Sequence, residues 1–228
     1  MKKLTILSGA GISAESGIKT FRDSDGLWEN HRVEDVASPE GWRRNPELVL
    51  DFYNQRRRQL HEVEPNNAHR LLAELEKYFD VQIITQNIDD LHERAGSTKV
   101  LHLHGELFKS CSERNKEKVF EQKNDINIGD FAPDGHQLRP FIVWFGEEVP
   151  AMAEAVEMTR EADIFLVIGT SLQVYPAAGL VHEITENCLL IVINPNETEF
   201  AYGKKAVVLK ETATRGMEIL FDELLKIR

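Results

Sequence analysis

Cysteine is scarce: the chain has two in 228 residues, Cys111 and Cys188. Two thiols cannot build a disulfide framework, and without a CxxC pair they cannot supply a four-thiolate zinc site. A reducing, cytoplasmic setting is expected. Long hydrophobic runs are missing too. The opening Met1-Lys2-Lys3-Leu4-Thr5-Ile6-Leu7 passes at once into Ser8 and Gly9. That stretch is too short for a signal peptide or a membrane span, and no later run reaches membrane length. Positive charge is in deficit: 27 Lys and Arg against 38 Asp and Glu give a net charge of −11. Such a field repels polyanions, so neither nucleic acid nor an acidic membrane is an expected partner. What remains, 42% hydrophobic residues, suffices for one large domain, or a main domain carrying a small inserted one.

Short apolar, β-branched runs recur at residues 4–7, 81–85, 100–103, 141–145, 164–168, 189–193 and 206–209. Several are continuous rather than alternating, as in strands covered on both faces of a parallel sheet. Helical spacing lies between them. Ala68, Leu71, Leu72, Leu75 and Phe79 share one face behind Pro65-Asn66-Asn67, and residues 152–160, 177–185 and 214–226 read similarly. Strands alternating with helices predict an α/β fold with a Rossmann-like doubly wound parallel sheet, whose ligand crevice lies beyond the carboxyl ends of the strands. Two stretches break the rhythm. Residues 31–64 and 107–138 are expected to form a small inserted second lobe, beside a large domain of residues 1–30, 65–106 and 139–228.

After the first strand comes Gly9-Ala10-Gly11-Ile12-Ser13-Ala14, a match to G-x-G-x-x-A where a strand turns into a helix. Glycines there let backbone approach a pyrophosphate, and the helix N-terminus favours negative charge. A dehydrogenase next needs a second strand ending in an acidic residue about 20 positions on. Here the chain runs instead through a polar, loop-like segment containing Phe21, Arg22 and Trp28, which argues against ordinary hydride transfer.

Other chemistry-bearing residues also follow apolar runs. Gln86-Asn87-Ile88-Asp89 follows residues 81–85, where Asn and Asp can bond a carboxamide and a ribose, or simply cap the helix near Leu91. In Val100-Leu101-His102-Leu103-His104-Gly105 the two histidines share a face. A proton acceptor, a hydrogen-bonded core imidazole and a metal pair all fit that pattern. Gly169-Thr170-Ser171 and Asn194-Pro195-Asn196 stand at strand ends, suited to the adenosine half of a dinucleotide or to ordinary turns. Tyr53 and Arg56, at i and i+3 on a helix, pair a phenol with a guanidinium and so can clamp a carboxylate. Arg57 and Arg58 beside them read as solvated.

Taken in order, residues 9–28, Thr85-Gln86-Asn87-Ile88-Asp89 with Leu91-His92 and Ala95-Gly96, His104-Gly105, Arg139-Pro140, Phe145-Gly146-Glu147, Gly169-Thr170-Ser171 and Asn194 resemble the sirtuin family, the NAD-dependent protein lysine deacylases. The resemblance spans nearly the whole chain. It implies NAD as cofactor and acylated-lysine proteins as partners. His104 is then the catalytic base and His102 a structural neighbour, with Asn87 and Asp89 also catalytic. Gly9, Ala10, Gly11, Ser13, Ala14, Phe21, Arg22, Trp28, Gln86, Ile88, Gly169, Thr170, Ser171, Asn194, Pro195, Asn196 and Ala213 bind the cofactor. The implied reaction displaces nicotinamide at the ribose by the acyl oxygen of the modified lysine, and releases free lysine and O-acyl-ADP-ribose. Tyr53-x-x-Arg56 matches relatives that accept succinyl- and malonyl-lysine, with deacetylation retained, while Val143, Trp144 and Phe145 would hold the peptide as an added strand.

The chain departs from the family where most members carry four zinc-binding cysteines, between the His-Gly and Arg-Pro motifs. Only Cys111 stands there. No metal is therefore expected, and the small lobe must be held by packing of Leu107, Phe108, Val119, Phe120, Ile126, Ile128 and Phe131. A monomer is expected. Protein mono-ADP-ribosyltransfer and a non-catalytic NAD or ADP-ribose sensor remain as alternatives.

Overall fold

The computed structural model describes residues 1–19, 27–28, 30–196 and 206–228. In chain order the elements are β1 (Lys3–Ser8), α1 (Ala10–Ala14), β2 (Leu27–Trp28), β3 (His31–Arg32), α2 (Val33–Val36), α3 (Pro39–Arg44), α4 (Pro46–Glu62), α5 (Asn67–Leu75), β4 (Asp80–Thr85) and α6 (Leu91–Ala95). They continue with β5 (Val100–His102), β6 (Gly105–Ser112), β7 (Val119–Glu121), β8 (Leu138–Ile142), α7 (Met152–Arg160), β9 (Ile164–Ile168), a 3-10 helix (Ala177–His182), β10 (Leu189–Ile193), β11 (Ala206–Leu209) and α8 (Ala213–Lys226). None of the described helices is long and apolar enough to cross a membrane.

Six strands form one sheet in the order β11-β10-β9-β1-β4-β5, with every pair parallel. In sequence order that is the doubly wound arrangement. The direction of winding reverses between β1 and β9, so the loops leaving those two strands part to opposite faces and open a crevice. Both faces are covered. Leu4, Ile6, Leu166 and Ile168 pack with Leu72, Leu75, Met217 and Leu220 of α5 and α8. Leu7, Phe165, Val167 and Val192 pack with Ala155 of α7 and Leu180 of the 3-10 helix. A Leu-to-Ala truncation in such a layer costs about 2–5 kcal/mol. Residues 177–185, read as an amphipathic helix, form the shorter 3-10 helix.

The small lobe joins α2, α3 and α4 to a three-stranded antiparallel sheet in the order β7-β6-β8. The run at 141–145 is divided: β8 ends at Ile142 within this small sheet, and the chain then leaves strand geometry. Apolar character alone does not say which sheet a run joins. The core of the lobe differs from expectation in a similar way. Leu107 and Ile126 are buried, but Val119, Ile128 and Phe131 are exposed. Their place is taken by Trp42, Val49, Leu50, Phe52, Tyr53, Leu60 and Trp144.

Arg57 is corrected outright: it is fully buried rather than solvated. Its Nε donates to the Leu107 carbonyl at 3.0 Å and its Nη1 to Asn54 Oδ1 at 2.7 Å. Asn54 in turn donates to the Ile126 carbonyl and accepts from the Ile126 amide, both at 2.9 Å. Tyr53, Arg57 and Leu60 stand at i, i+4 and i+7, so helical spacing already placed Arg57 on the buried face. Arg58 stays exposed, near Asp51 and Asp125.

Candidate functional site

A cavity of about 730 Å³ lies where the crevice meets the small lobe, within the size range of small-molecule sites. Its first wall is the turn from β1 into α1. Gly9 and Gly11 serve close approach here: their amides donate to the Ile168 and Gly169 carbonyls at 3.1 and 2.8 Å. A Cβ on Gly11 would stand 2.8 Å from Gly169 Cα. These two amides thus bond the last residue of β9 and the first of the loop after it, rather than facing outward to phosphate. Ala10, Ser13 and Ala14 line the cavity with them.

The second wall is the loop after β4. Asn87 is buried; its Nδ2 donates to the Gly9 carbonyl at 3.2 Å and to Ser13 Oγ at 3.1 Å, and its amide donates to Thr85 Oγ1 at 3.0 Å. Asp89 accepts from Ser13 Oγ at 2.9 Å through one oxygen and from the Leu91 amide at 3.2 Å through the other. It therefore holds the first amide of α6 while lining the cavity. Burial raises its pKa to about 6, against the opposing hydrogen bonds from Ser13 and Leu91. Gln86 Nε2 donates to Thr170 Oγ1 at 3.1 Å, tying this wall to the loop after β9.

His104 leaves the end of β5 with Nδ1 3.0 Å from the Gln86 carbonyl. A carbonyl only accepts, so Nδ1 carries the proton and Nε2 is left as the basic atom. Burial lowers the ring's pKa, and it is neutral at neutral pH. Gly105 follows at φ +84, where a Cβ would collide with the Phe141 carbonyl. Only glycine allows the chain to turn so tightly behind the histidine. His102 grips the neighbouring Asn87 carbonyl at 3.0 Å and Glu93 Oε1 at 2.8 Å. Among the described residues no group of three or more His, Cys, Asp and Glu side chains comes together as a metal site.

Gly169, Thr170, Ser171, Asn194, Pro195, Asn196 and Ala213 also line the cavity. Sequence reasoning missed Glu15 here. Its Oε1 accepts from Thr212 Oγ1 at 3.1 Å and its Oε2 from the Thr214 amide at 2.9 Å, so a residue following α1 caps the N-terminus of α8 beside Ala213. Trp28, Tyr53, Arg56, Val143, Trp144 and Phe145 line the same cavity, with an apolar lining from Ala37, Leu60, Leu107 and Ile142. Trp144 Nε1 donates to Tyr53 Oη at 3.1 Å. The Arg56 guanidinium lies 3.6 Å over the Phe52 ring and donates to the Phe52 carbonyl at 2.6 Å. Phe21 and Arg22 lie outside the described residues. Every other residue named from the sequence as catalytic, cofactor-binding or substrate-binding lines this cavity.

A doubly wound sheet with a polar crevice at its switch point, a basic imidazole, and a small lobe roofing one end defines a dinucleotide-site α/β protein. The Sir2 family pattern matches residues 9–176, and the chain belongs to that family, the sirtuins. A protein from Helicobacter pylori (strain ATCC 700392 / 26695), named NAD-dependent protein deacylase, is 55% identical over 227 residues, covering 100% of this chain and 99% of its own. One of the same name from Bacteroides thetaiotaomicron is 53% identical over 231 residues, covering 99% of each chain. Among solved structures, a Sir2 homologue–NAD complex superposes with a TM-score of 0.89 at 39% identity, over 99% of this chain and 90% of that one. A Sir2–p53 peptide–NAD+ structure gives 0.79 at 31% identity, over 99% and 94%.

Proposed function

We propose that this sirtuin is an NAD-dependent protein-lysine deacylase that removes succinyl and malonyl groups as well as acetyl, giving O-acyl-ADP-ribose. Relatives of 53–55% identity that carry the deacylase name support the activity. The acidic-acyl preference rests on one observation: Tyr53 and Arg56, both on α4 of the small lobe, line the same cavity as His104 and Asn87.

The residues present fit the cofactor. Asn87 Oδ1 accepts no hydrogen bond among the described residues, while its Nδ2 is fixed by Gly9 and Ser13. The carboxamide oxygen is thereby held as an acceptor for a ligand amide. NAD, when bound, supplies an electrophilic ribosyl carbon and the ADP-ribose that carries the acyl group away. Asn87 and Asp89 hold the nicotinamide and ribose end; Thr170, Ser171, Asn194 and Ala213 hold the adenosine end. Nε2 of His104 takes the proton of a ribose hydroxyl. Tyr53 and Arg56 receive the distal carboxylate of the acyl chain, for which a fixed guanidinium is suited.

The peptide meets the segment after β8. The amides of Val143, Trp144 and Phe145 are already donated to the His104 carbonyl, Glu147 Oε2 and the Ala37 carbonyl. An incoming strand therefore bonds through carbonyls on this side. The two free thiols, Cys111 and Cys188, support a reducing, cytoplasmic setting, and we take the protein to act as a monomer.

The test is mass spectrometry of matched succinyl- and acetyl-lysine peptides with and without NAD. NAD-dependent loss of both acyl groups is expected, and Arg56→Met should depress desuccinylation by about 10-fold or more beyond its effect on deacetylation. Parallel loss of both activities would mean that Arg56 is structural. ADP-ribose attached to protein in place of O-acyl-ADP-ribose would replace the deacylase reading by ADP-ribosyltransfer.

A further inference from the structure

The two histidines flanking Leu103 hold adjacent carbonyls of the same loop, yet their environments differ in kind. His104 uses Nδ1 on the Gln86 carbonyl and has a basic Nε2. His102 uses Nδ1 on the Asn87 carbonyl, and its Nε2 meets Glu93 Oε1 at 2.8 Å. A carbonyl and an ionised carboxylate are both acceptors only. A neutral imidazole has a single N–H, so it can satisfy one of them; an imidazolium satisfies both.

We propose that His102 is an imidazolium at neutral pH, held by Glu93, and that this ion pair positions the catalytic loop by clamping the Asn87 carbonyl. Asn87 is thereby fixed at both backbone groups, its amide on Thr85 Oγ1 and its carbonyl on His102. That orientation aims the carboxamide past Ser13 into the cavity and sets Asp89 two residues on. His102 is a positioning residue; it acts through Asn87 and Asp89. The inference rests on the deacylase reading for its consequence, but not for the charge state of the ring.

The surroundings agree. Glu93 and His92 face His102 from α6, Glu106 from β6 and Asp89 from the loop itself. Burial opposes the charged ring, but the hydrogen bond and charge of Glu93, the charge of Glu106 and the Asn87 carbonyl outweigh it and raise its pKa. Glu106 is itself bonded to Lys109 at 2.6 Å. Burial likewise opposes the Glu93 carboxylate, and His102 outweighs it, so Glu93 titrates lower than usual. His92 is kept neutral, first by burial and then by His69 and His102. A buried cation and a neutral base thus stand two residues apart on one strand end.

Two variants separate this from simple packing. Glu93→Ala removes the counter-ion. In Glu93→Gln the amide N–H can donate to a neutral Nε2 while Nδ1–H still holds Asn87, which restores position without charge. Nitrogen NMR of the imidazole rings in the cofactor-free protein, with His102 assigned by loss of its signals in His102→Asn, should show two protonated nitrogens at about pH 7.5 in the wild type and one in Glu93→Gln. Nicotinamide exchange should fall about 10- to 100-fold in Glu93→Ala and recover in Glu93→Gln. The alkaline limb of the wild-type pH profile should vanish in Glu93→Gln. A neutral His102 in the wild type overturns the proposal whatever the activity, as does full exchange activity in Glu93→Ala. Should Glu93→Ala fail to fold, the wild-type ring and the Glu93→Gln profile decide. A doubly protonated His102 in a protein without deacylase activity would sink the functional reading and leave the ion pair standing.

Discussion

The indole N–H of Trp144 donates to the hydroxyl oxygen of Tyr53 at 3.1 Å, inside the core of the small lobe. The phenol is fully buried, and burial pushes its pKa well up, so it stays protonated. With its oxygen accepting from Trp144, its O–H is directed away from the indole and can donate to an acyl carboxylate. Tyr53→Phe removes that donor and leaves the Trp144 N–H without its partner. The expected outcome is a loss of about 1–3 kcal/mol in stability, with desuccinylation falling more than deacetylation. Denaturant melts and paired peptide rates check it.

Acidification should reduce turnover through two groups. Burial lowers the pKa of His104, the base of the proposed reaction, and Asp89 ionises at about 6. The rate should fall as pH drops through about 6, and His104→Ala should abolish turnover while NAD still binds. Asp89 has the opposite effect on stability. Its folded pKa lies above its ordinary 3.8, so the native state binds the extra proton between those values. The stability it contributes is complete below that range and lost as pH rises through about 6. Asp89→Asn should remove both this slope and part of the acid limb, as read from melts and rates across the pH range.

His69 sits fully buried, with neither ring nitrogen hydrogen-bonded among the described residues and its ring 5.0 Å from that of His92. Burial pushes its pKa down to about 4. Between that value and about 6.5 the unfolded chain binds the proton that the native state refuses, so stability is lost as pH falls. His69→Leu should flatten this limb and gain about 2 kcal/mol at pH 5 relative to neutral pH. Unchanged pH dependence in the variant would contradict the assignment.

Glu15 joins the turn after α1 to the first turn of α8 through Thr212 and Thr214. Glu15→Ala should cost about 1 kcal/mol as a lost cap and raise KM for NAD with kcat little changed. Calorimetry with ADP-ribose should show the same weakening. A fall in kcat alone would place Glu15 in the chemistry instead.

Metal removal should leave the protein intact. Cys111 is buried in β6, while Cys188 lies just before β10 in the large domain. Dialysis against a chelator should change neither the melting temperature nor the deacylation rate. Stoichiometric zinc, lost together with activity, would overturn this.

Strands such as Ile164–Ile168 and Leu189–Ile193 were legible because a strand buried on both faces needs no alternation, only an unbroken apolar run. The cavity was legible for a related reason: its residues stand where such runs end, and a parallel sheet brings those ends together. Side-chain partnerships were harder. Glu15 and Thr214 are 199 positions apart, and no local pattern announces a cap supplied by another element. Nor did the His-x-His spacing distinguish a cation from a base, because the carboxylate that decides it stands on α6. The exposed Ile128 and Phe131 show the converse, since hydrophobic character does not by itself produce burial.

Asn54 and Arg57 bond one face of α4 to the chain at both Leu107 and Ile126. The two insertions, separate in sequence, are therefore held to each other through the buried face of a single helix. The turn between β6 and β7 is tied into the same core: Glu113 accepts from Trp42 Nε1 at 3.3 Å, and Lys116 pairs with Glu147, which holds the Trp144 amide. A change in the length of that turn is therefore transmitted to the wall of the cavity that Trp144 forms.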